Sequence, residues 1–192
     1  MIDIHCHILP GIDDGSQDIE TSIGMMRIAS DDGITHIVAT PHYRYDDEPA
    51  FKDINDRTEL LRKKAAENQI DIEILSGADI GLTYELIDGI ERKKIPTLNR
   101  SRYFLIELPD LIPPNIDNVF FTAELSGLVP VITHPERNYS FLTSPIKLEQ
   151  FRGSGALVQL TAMSITGEFG SNLQKFSHML LKKGHVDFIA SD

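Results

Sequence analysis

The sequence predicts an α/β protein in which parallel strands alternate with helices and close into a (β/α)7 barrel. Three observations carry this prediction. Seven short runs are rich in Ile, Val, Leu and Phe, longer segments between them have helical periodicity, and most runs end in His, Asp or Glu. Strand–helix alternation is typical of parallel sheets built from right-handed crossovers. An open doubly wound sheet is the alternative fold, but no glycine-rich phosphate loop follows the first run to favour it.

The candidate strands are short apolar runs, several of them almost uninterrupted. This is expected where both faces of a parallel sheet are covered. The second run reads THIVAT and the fourth reads YFLIEL. The seven runs occupy residues 1–7, 35–40, 70–79, 103–108, 128–134, 156–161 and 185–192.

The segments between the runs have the apolar periodicity of helices. In the first of them Ile19, Ile23, Met26 and Ala29 recur at helical spacing, and Gly33 lies where a C-terminal cap is expected. The other segments also have one apolar face and end near Lys or Gly. These further candidate helices are residues 51–69, 83–94, 118–127 and 171–184.

Length and composition suit one globular domain, which we place at residues 1–192. No run approaches the roughly 18 apolar residues of a membrane span, and no secretory leader is visible. The single cysteine, Cys6, excludes an internal disulfide, so we expect a cytoplasmic protein. A net charge of −11 disfavours nucleic-acid binding because such a surface repels a phosphate backbone.

Metal-ligand side chains recur where the runs end. His5 and His7 close the first run, and because they are one residue apart on a strand they point to the same face. In a parallel barrel the carboxyl ends of all strands lie on one face, so residues scattered in sequence would converge there. The others are His42, Asp79, Glu107, His134 and Asp192, with Asp13 and Asp14 following the first run.

All these side chains offer nitrogen or oxygen ligands, which suit Mn, Fe or Zn. A single histidine at a strand end is commonly only a polar cap, and an acid there commonly caps the next helix. The shared position of the set is therefore the argument for a metal site. Cys6 is expected to be a packing residue, because Ile12 stands where a cysteine phosphatase needs arginine and no cationic loop surrounds the thiol.

The ordered motifs HCH, PHY, IEL, THPER and IASD resemble the polymerase and histidinol phosphatase (PHP) superfamily of metal-dependent phosphoesterases. The stretches MIDIHCHILPGIDDGS, KKIPTLNRSRYFLIEL and VPVITHPERN are particularly similar to one branch of it. That branch is the bacterial manganese-dependent protein-tyrosine phosphatases of capsule and exopolysaccharide clusters, the CpsB/YwqE type. The resemblance spans the whole chain and implies a distorted TIM-like barrel of the PHP type.

The resemblance also implies a centre of up to three metal ions that activates a hydroxide. His5 and His7 would bind one ion with Asp79 and Asp192. Asp79 would bridge to a second ion, and His42 would serve a third. Glu107 and His134 would bind the second ion, and Asp14, in preference to Asp13, would bind the third. Arg137 would contact the substrate phosphate, with Arg44 as a weaker candidate for the same role.

Three departures from the family pattern affect this expectation. The family usually has glutamate where Asp79 stands, and aspartate is one methylene shorter. Thr161 stands near a position that is often asparagine. The family continues past the aspartate of IASD to a histidine ligand two residues on, whereas this sequence stops at Asp192. We therefore expect a C-terminally incomplete domain in which the third ion lacks one ligand.

The resemblance implies that the protein hydrolyses phosphotyrosine on a partner protein. That partner would be an autophosphorylating bacterial tyrosine kinase that governs polysaccharide assembly. The resemblance is also compatible with a homo-oligomer. Two alternatives stay open. One is a small-molecule phosphatase of the histidinol-phosphate type. The other is a non-catalytic metal-binding remnant, suggested by Asp79 and by the end of the sequence.

Overall fold

The computed structural model describes residues 1–45 and 51–192. Its strands all belong to parallel pairs, and helices follow most of them. The strands are β1 (Ile2–Cys6), β2 (His36–Ala39), β3 (His42–Tyr43), β4 (Glu73–Ser76), β5 (Asp79–Gly81), β6 (Tyr103–Glu107), β7 (Val129–Thr133), β8 (Leu157–Thr161) and β9 (Phe188–Ala190).

The helices within these ranges vary from five to seventeen residues. They are α1 (Ile19–Asp31), α2 (Phe51–Glu67), α3 (Leu86–Glu91), α4 (Ile116–Leu125), α5 (Tyr139–Thr143), α6 (Ile146–Gly153), α7 (Ala162–Thr166) and α8 (Ser171–Lys182), with short 3-10 helices at Leu98–Arg100 and Pro135–Arg137. In the part of the chain that is described, no helix combines the length and hydropathy that a membrane crossing requires.

The strands form two parallel sheets, ordered β1-β2-β4 and β3-β5-β6-β7-β8-β9. This confirms the predicted parallel α/β class, while closure into one barrel stays a prediction. A short additional strand, β3, follows the second predicted strand after Pro41, and the third predicted strand is divided at Gly77 into β4 and β5. Proline lacks the N–H that a ladder needs. Backbone bonds nevertheless bridge the breaks, since Gly77 N donates to Ala39 O at 2.9 Å and Asp79 N donates to Pro41 O at 3.0 Å.

The core explains why the strands read as uninterrupted apolar runs. On β6 the consecutive residues Phe104, Leu105 and Ile106 are all fully buried. Phe104 and Ile106 belong to the large cluster beneath the helices, whereas Leu105 belongs to a separate small cluster on the other face. Both faces are therefore covered, as in other parallel sheets.

Five of the helices coincide with segments that periodicity predicts, namely α1, α2, α3, α4 and α8, although α4 begins two residues before its predicted segment. At α1, Asp18 caps the first turn by accepting a bond from Thr21 N at 2.8 Å, and Gly33 follows the end with φ 81°. Helices α5, α6 and α7 were not predicted. They have only five to eight residues, and no longer stretch of apolar periodicity was recognised around them as it was around the six-residue α3.

Candidate metal centre

Two histidines at the end of β1 begin the site. His5 and His7 face the same side, and their Nε2 atoms lie 3.1 Å apart. Each ring is held from behind, since His5 Nδ1 is 2.9 Å from Gln159 Oε1 and His7 Nδ1 is 2.7 Å from Asp13 Oδ2. When each Nδ1–H donates to its acceptor, each Nε2 keeps a lone pair directed into the site. This is the arrangement that metal-binding histidines need.

The loop after β1 folds around Asp13. Besides accepting from His7, its carboxylate accepts backbone bonds from His42 N and Gly15 N, each at 3.0 Å. Gly15 permits this loop, because a Cβ there would lie 2.2 Å from His7 O. Asp14 is instead exposed, and its Oδ1 lies 3.6 Å from His42 Nε2. The two adjacent aspartates thus have different positions: Asp13 supports the histidines and Asp14 faces the site opening.

Asp79 lies at the middle of the cluster and is fully buried. Its Oδ2 is 3.8 Å from His5 Nε2, 3.7 Å from His42 Nδ1 and 3.8 Å from His134 Nε2. Its Oδ1 accepts a bond from Thr133 Oγ1 at 3.2 Å, but Oδ2 has no hydrogen-bond partner among the described residues. A buried carboxylate oxygen without a donor is costly unless something else satisfies it.

Two further carboxylates complete the ring of ligand atoms. Glu107 places its carboxylate oxygens 3.7 Å from His42 Nδ1 and 3.9 Å from His134 Nε2. Asp192 Oδ1 lies 3.3 Å from His5 Nε2 and 3.4 Å from His7 Nε2. The structure thus brings together every side chain that the sequence nominates as a metal ligand.

These donors fit divalent cations. Two ligands each about 2.1 Å from one ion can lie at most about 4.2 Å apart. The pairs around Asp79 meet this limit, yet at 3.7–3.8 Å they are too long for hydrogen bonds. Ligand atoms lie within 4.8 Å of one another in four overlapping groups. The groups are His5/His134/Asp192, His5/His7/Asp79, His7/Asp14/His42 and His42/Asp79/Glu107.

Electrostatics at the cluster favour cations. Burial opposes protonation of His7, but its bonds to Asp13 and Asp192 outweigh burial and raise its pKa to about 10. The pKa of His134 is also raised, since Asp79 outweighs its burial. Burial raises the carboxylate pKa values, yet the neighbouring histidines lower those of Asp79 and Asp192 below the ordinary range. Without metal the site therefore retains protons that a cation must displace.

A cleft of about 350 Å³ opens beside the cluster, and both predicted arginines line it together with Glu107 and His134. His134 has a left-handed backbone (φ 33°), which lets the chain turn directly into the 3-10 helix that carries Arg137. Arg137 Nη1 donates to Asp192 Oδ2 at 2.7 Å, and its guanidinium lies 5.5 Å from the centre of the Phe169 ring.

The buried Glu136 is not the partner of Arg137. Its Oε1 accepts a bond from Thr161 N at 3.0 Å, and burial raises the pKa of Glu136. Thr161 in turn donates its hydroxyl to Asp192 Oδ2 at 3.0 Å. Arg137 is therefore anchored to the cluster and not to its sequence neighbour.

Sequence reasoning missed three supporting residues: Gln159, Thr133 and the role of Asp13. Gln159 left a signal, since it is a polar residue inside the apolar run ALVQLT. Cys6 is buried, and burial together with the Asp3 charge raises its pKa to about 12. It therefore stays a thiol at neutral pH and is not a candidate nucleophile.

Imidazoles and carboxylates gathered by parallel strands beside an arginine-lined cleft are typical of metal-dependent hydrolases. The family model for capsular polysaccharide synthesis, CpsB/CapC, matches residues 1–192. The chain belongs to this family.

Similar proteins agree with this assignment. The chain is 38% identical to tyrosine-protein phosphatase YwqE of Bacillus subtilis, with all of this chain and 76% of that protein aligned. It is 35% identical to the putative tyrosine-protein phosphatase CapC of Staphylococcus aureus, over 100% and 76% of the two chains. A crystal structure from work on YwqE of B. subtilis and CpsB of Streptococcus pneumoniae, described as metal-dependent tyrosine phosphatases, superposes with a TM-score of 0.95 at 36% identity. That match covers 100% of this chain and 78% of the other.

Proposed function

We propose that this chain is a metal-dependent tyrosine-protein phosphatase that hydrolyses phosphotyrosine beside its histidine and carboxylate cluster. The observation that carries the proposal is the environment of Asp79. Its buried Oδ2 faces three imidazole nitrogens at 3.7–3.8 Å. The adjoining cleft contains two arginines. Relatives named tyrosine-protein phosphatases align along the whole chain and support the same conclusion.

The chain's own residues define how the metal ions would be held. Divalent ions bound here would polarise phosphate oxygens and lower the pKa of bound water. Imidazole and carboxylate ligands suit Mn, Fe or Zn, and we propose Mn, at up to three positions, on the basis of the family resemblance. The proposed ligands are His5, His7, Asp14, His42, Asp79, Glu107, His134 and Asp192.

Arg137 is the residue that we assign to the substrate phosphate. Its planar guanidinium can donate two parallel bonds to phosphate oxygens, and the Phe169 ring and Asp192 hold it in place before substrate arrives. Arg44 lines the same cleft and is proposed as a second phosphate contact. The tyrosyl leaving group has a pKa of about 10, so it departs with less proton assistance than an aliphatic alkoxide.

The finer fold prediction belongs to the same proposal. We propose that the two sheets are parts of one distorted seven-stranded barrel in a single domain. One small apolar cluster supports this, because it draws one or two residues from each of β1, β2, β4, β6, β7, β8 and β9. A backbone bond from Asp192 N to His5 O at 2.8 Å also joins the segment after β9 to β1.

The physiological substrate that we propose is an autophosphorylating tyrosine kinase. The description of the family model, capsular polysaccharide synthesis, supports this choice. A cytoplasmic location fits a chain whose single cysteine is a free, buried thiol. A homo-oligomer is part of the same proposal.

The function is tested by measuring phosphate release from a phosphotyrosyl peptide and from histidinol phosphate. Each substrate is assayed with Mn²⁺ and with a chelator. We expect Mn²⁺-dependent turnover that favours the peptide. His5→Ala and His134→Ala should abolish turnover. His36→Ala should not, because His36 lies at the amino end of β2, where its ring contacts Glu73.

Two results would contradict the proposal. A higher kcat/KM for histidinol phosphate would identify a small-molecule phosphatase. Bound metal without turnover of either substrate would identify a non-catalytic metal-binding protein.

A further inference from the structure

A second groove, lined mostly by apolar residues, opens beside the proposed catalytic cleft. Its volume is about 260 Å³, and it shares the wall residues Leu82 and Pro109 with the cleft that contains both arginines. Ile116 and Val119 of α4, both buried, form part of its lining. The two depressions therefore adjoin at Leu82 and Pro109, with the first beside the candidate metal cluster and the second against α4.

The rim of this groove exposes large apolar side chains. Tyr84 is 89% exposed and Leu111 is 79% exposed, and both line the groove. The polar side chains in the lining are Thr83 and Asn115, and no described lining residue carries a charge. Apolar side chains grouped around a depression, with few polar groups among them, are a common feature of ligand-binding grooves.

We propose that this groove is a substrate subsite that receives an apolar side chain located two residues from the phosphotyrosine. The inference rests on the proposed function, because the phosphotyrosine must occupy the neighbouring cleft. In an extended peptide, side chains two residues apart point to the same face and are about 6.6 Å apart. A peptide bound across Leu82 and Pro109 therefore presents both side chains to the protein at once.

Charge disfavours an acidic side chain in the groove. Glu107 and Asp110 line the adjoining cleft, while both arginines lie in that cleft and not in the groove. An aspartate there would lose hydration without gaining a cation. The subsite should thus select leucine over both glycine and aspartate at the flanking position.

Three phosphotyrosyl peptides test the proposal with the Mn²⁺-loaded protein. They are identical except for Leu, Gly or Asp two residues from the phosphotyrosine, and both directions along the peptide are tried. p-Nitrophenyl phosphate serves as a substrate too small to reach the groove. We expect kcat/KM for the leucine peptide to exceed that for the glycine peptide about tenfold in one direction, which corresponds to about 1.4 kcal/mol.

Variants locate the effect. Leu111→Ser and Tyr84→Ala should each reduce the leucine preference at least threefold while leaving p-nitrophenyl phosphate turnover unchanged. Leu125→Ser is the matched control, since Leu125 is 73% exposed on α4 but outside the groove lining. Equal rates for the leucine and glycine peptides, or a preference that survives both variants, would overturn the subsite. Absence of turnover on every substrate would overturn the proposed function and the subsite with it.

Discussion

Replacing Asp13 with asparagine should raise the Mn²⁺ concentration needed for half-maximal activity by about 10- to 100-fold, the usual cost of losing a group that orients a metal ligand. The Asp13 carboxylate accepts three N–H groups, from His7 Nδ1 at 2.7 Å and from the backbones of His42 and Gly15 at 3.0 Å. Asparagine has one acceptor oxygen and one NH2 group. Either orientation of the amide therefore sets a donor against a donor.

The expected weakening corresponds to about 1.4–2.7 kcal/mol of metal-binding free energy. The assay is a Mn²⁺ titration of p-nitrophenyl phosphate turnover, with thermal unfolding of the metal-free protein as a check that Asp13→Asn folds. Asp32→Asn removes the same charge from the exposed end of α1 and should leave the titration unchanged. If Asp13→Asn followed the wild-type titration curve, Asp13 would not be orienting the histidines.

Three further predictions follow from the same contacts. Gly15→Ala should lower Mn²⁺ affinity more than tenfold and lower the Tm, because the new Cβ would lie 2.2 Å from His7 O. Gly24→Ala is the control: no atom lies within 4 Å of the new Cβ, and alanine favours the helix, so the Tm should rise slightly. Thermal unfolding and metal titration of the two variants check this; equal Tm shifts would contradict it. Gln159→Met should weaken Mn²⁺ binding about tenfold by leaving His5 Nδ1 without its acceptor, as measured by calorimetry; unchanged affinity would show that Gln159 does not select the tautomer. Because the pKa of His7 is raised to about 10, His7 is protonated at pH 7 and must lose that proton to bind metal, so Mn²⁺ affinity should increase with pH below 10. Calorimetry at pH 7 in buffers of different ionisation enthalpy should detect at least one proton released, since the pKa of His134 is raised as well. No release would refute the assigned role of His7.

The candidate metal ligands could be nominated from the sequence because each occupies a position with a simple geometric meaning. Alternate residues on one strand, such as His5 and His7, face the same side whatever the rest of the fold does. Residues such as His134 follow an apolar run, and the carboxyl ends of parallel strands share one edge. Local pattern and strand polarity thus sufficed to nominate the set, although binding itself stays a prediction.

The supporting residues were not predictable in the same way. Gln159 contacts His5 across 154 positions of sequence. Nothing local distinguishes a glutamine that orients a histidine from one that pairs with another strand. Residue pattern alone did not separate Asp13 from Asp14, and only the family resemblance favoured Asp14 as a ligand. The loop that buries one and exposes the other depends on Gly15 packing against His7.

The sequence by itself determined the parallel α/β class and the end of the strands where the metal-ligand side chains gather. Uninterrupted apolar runs indicate strands buried on both faces, and the position of His, Asp and Glu after those runs indicates the strand end. Only the tertiary structure decided that the strands pair as two sheets and that Arg137 forms an ion pair with Asp192. It also decided that a groove lined mostly by apolar residues adjoins the cleft. Those features depend on contacts between segments far apart along the chain, and their distances and register are set by packing of the whole core.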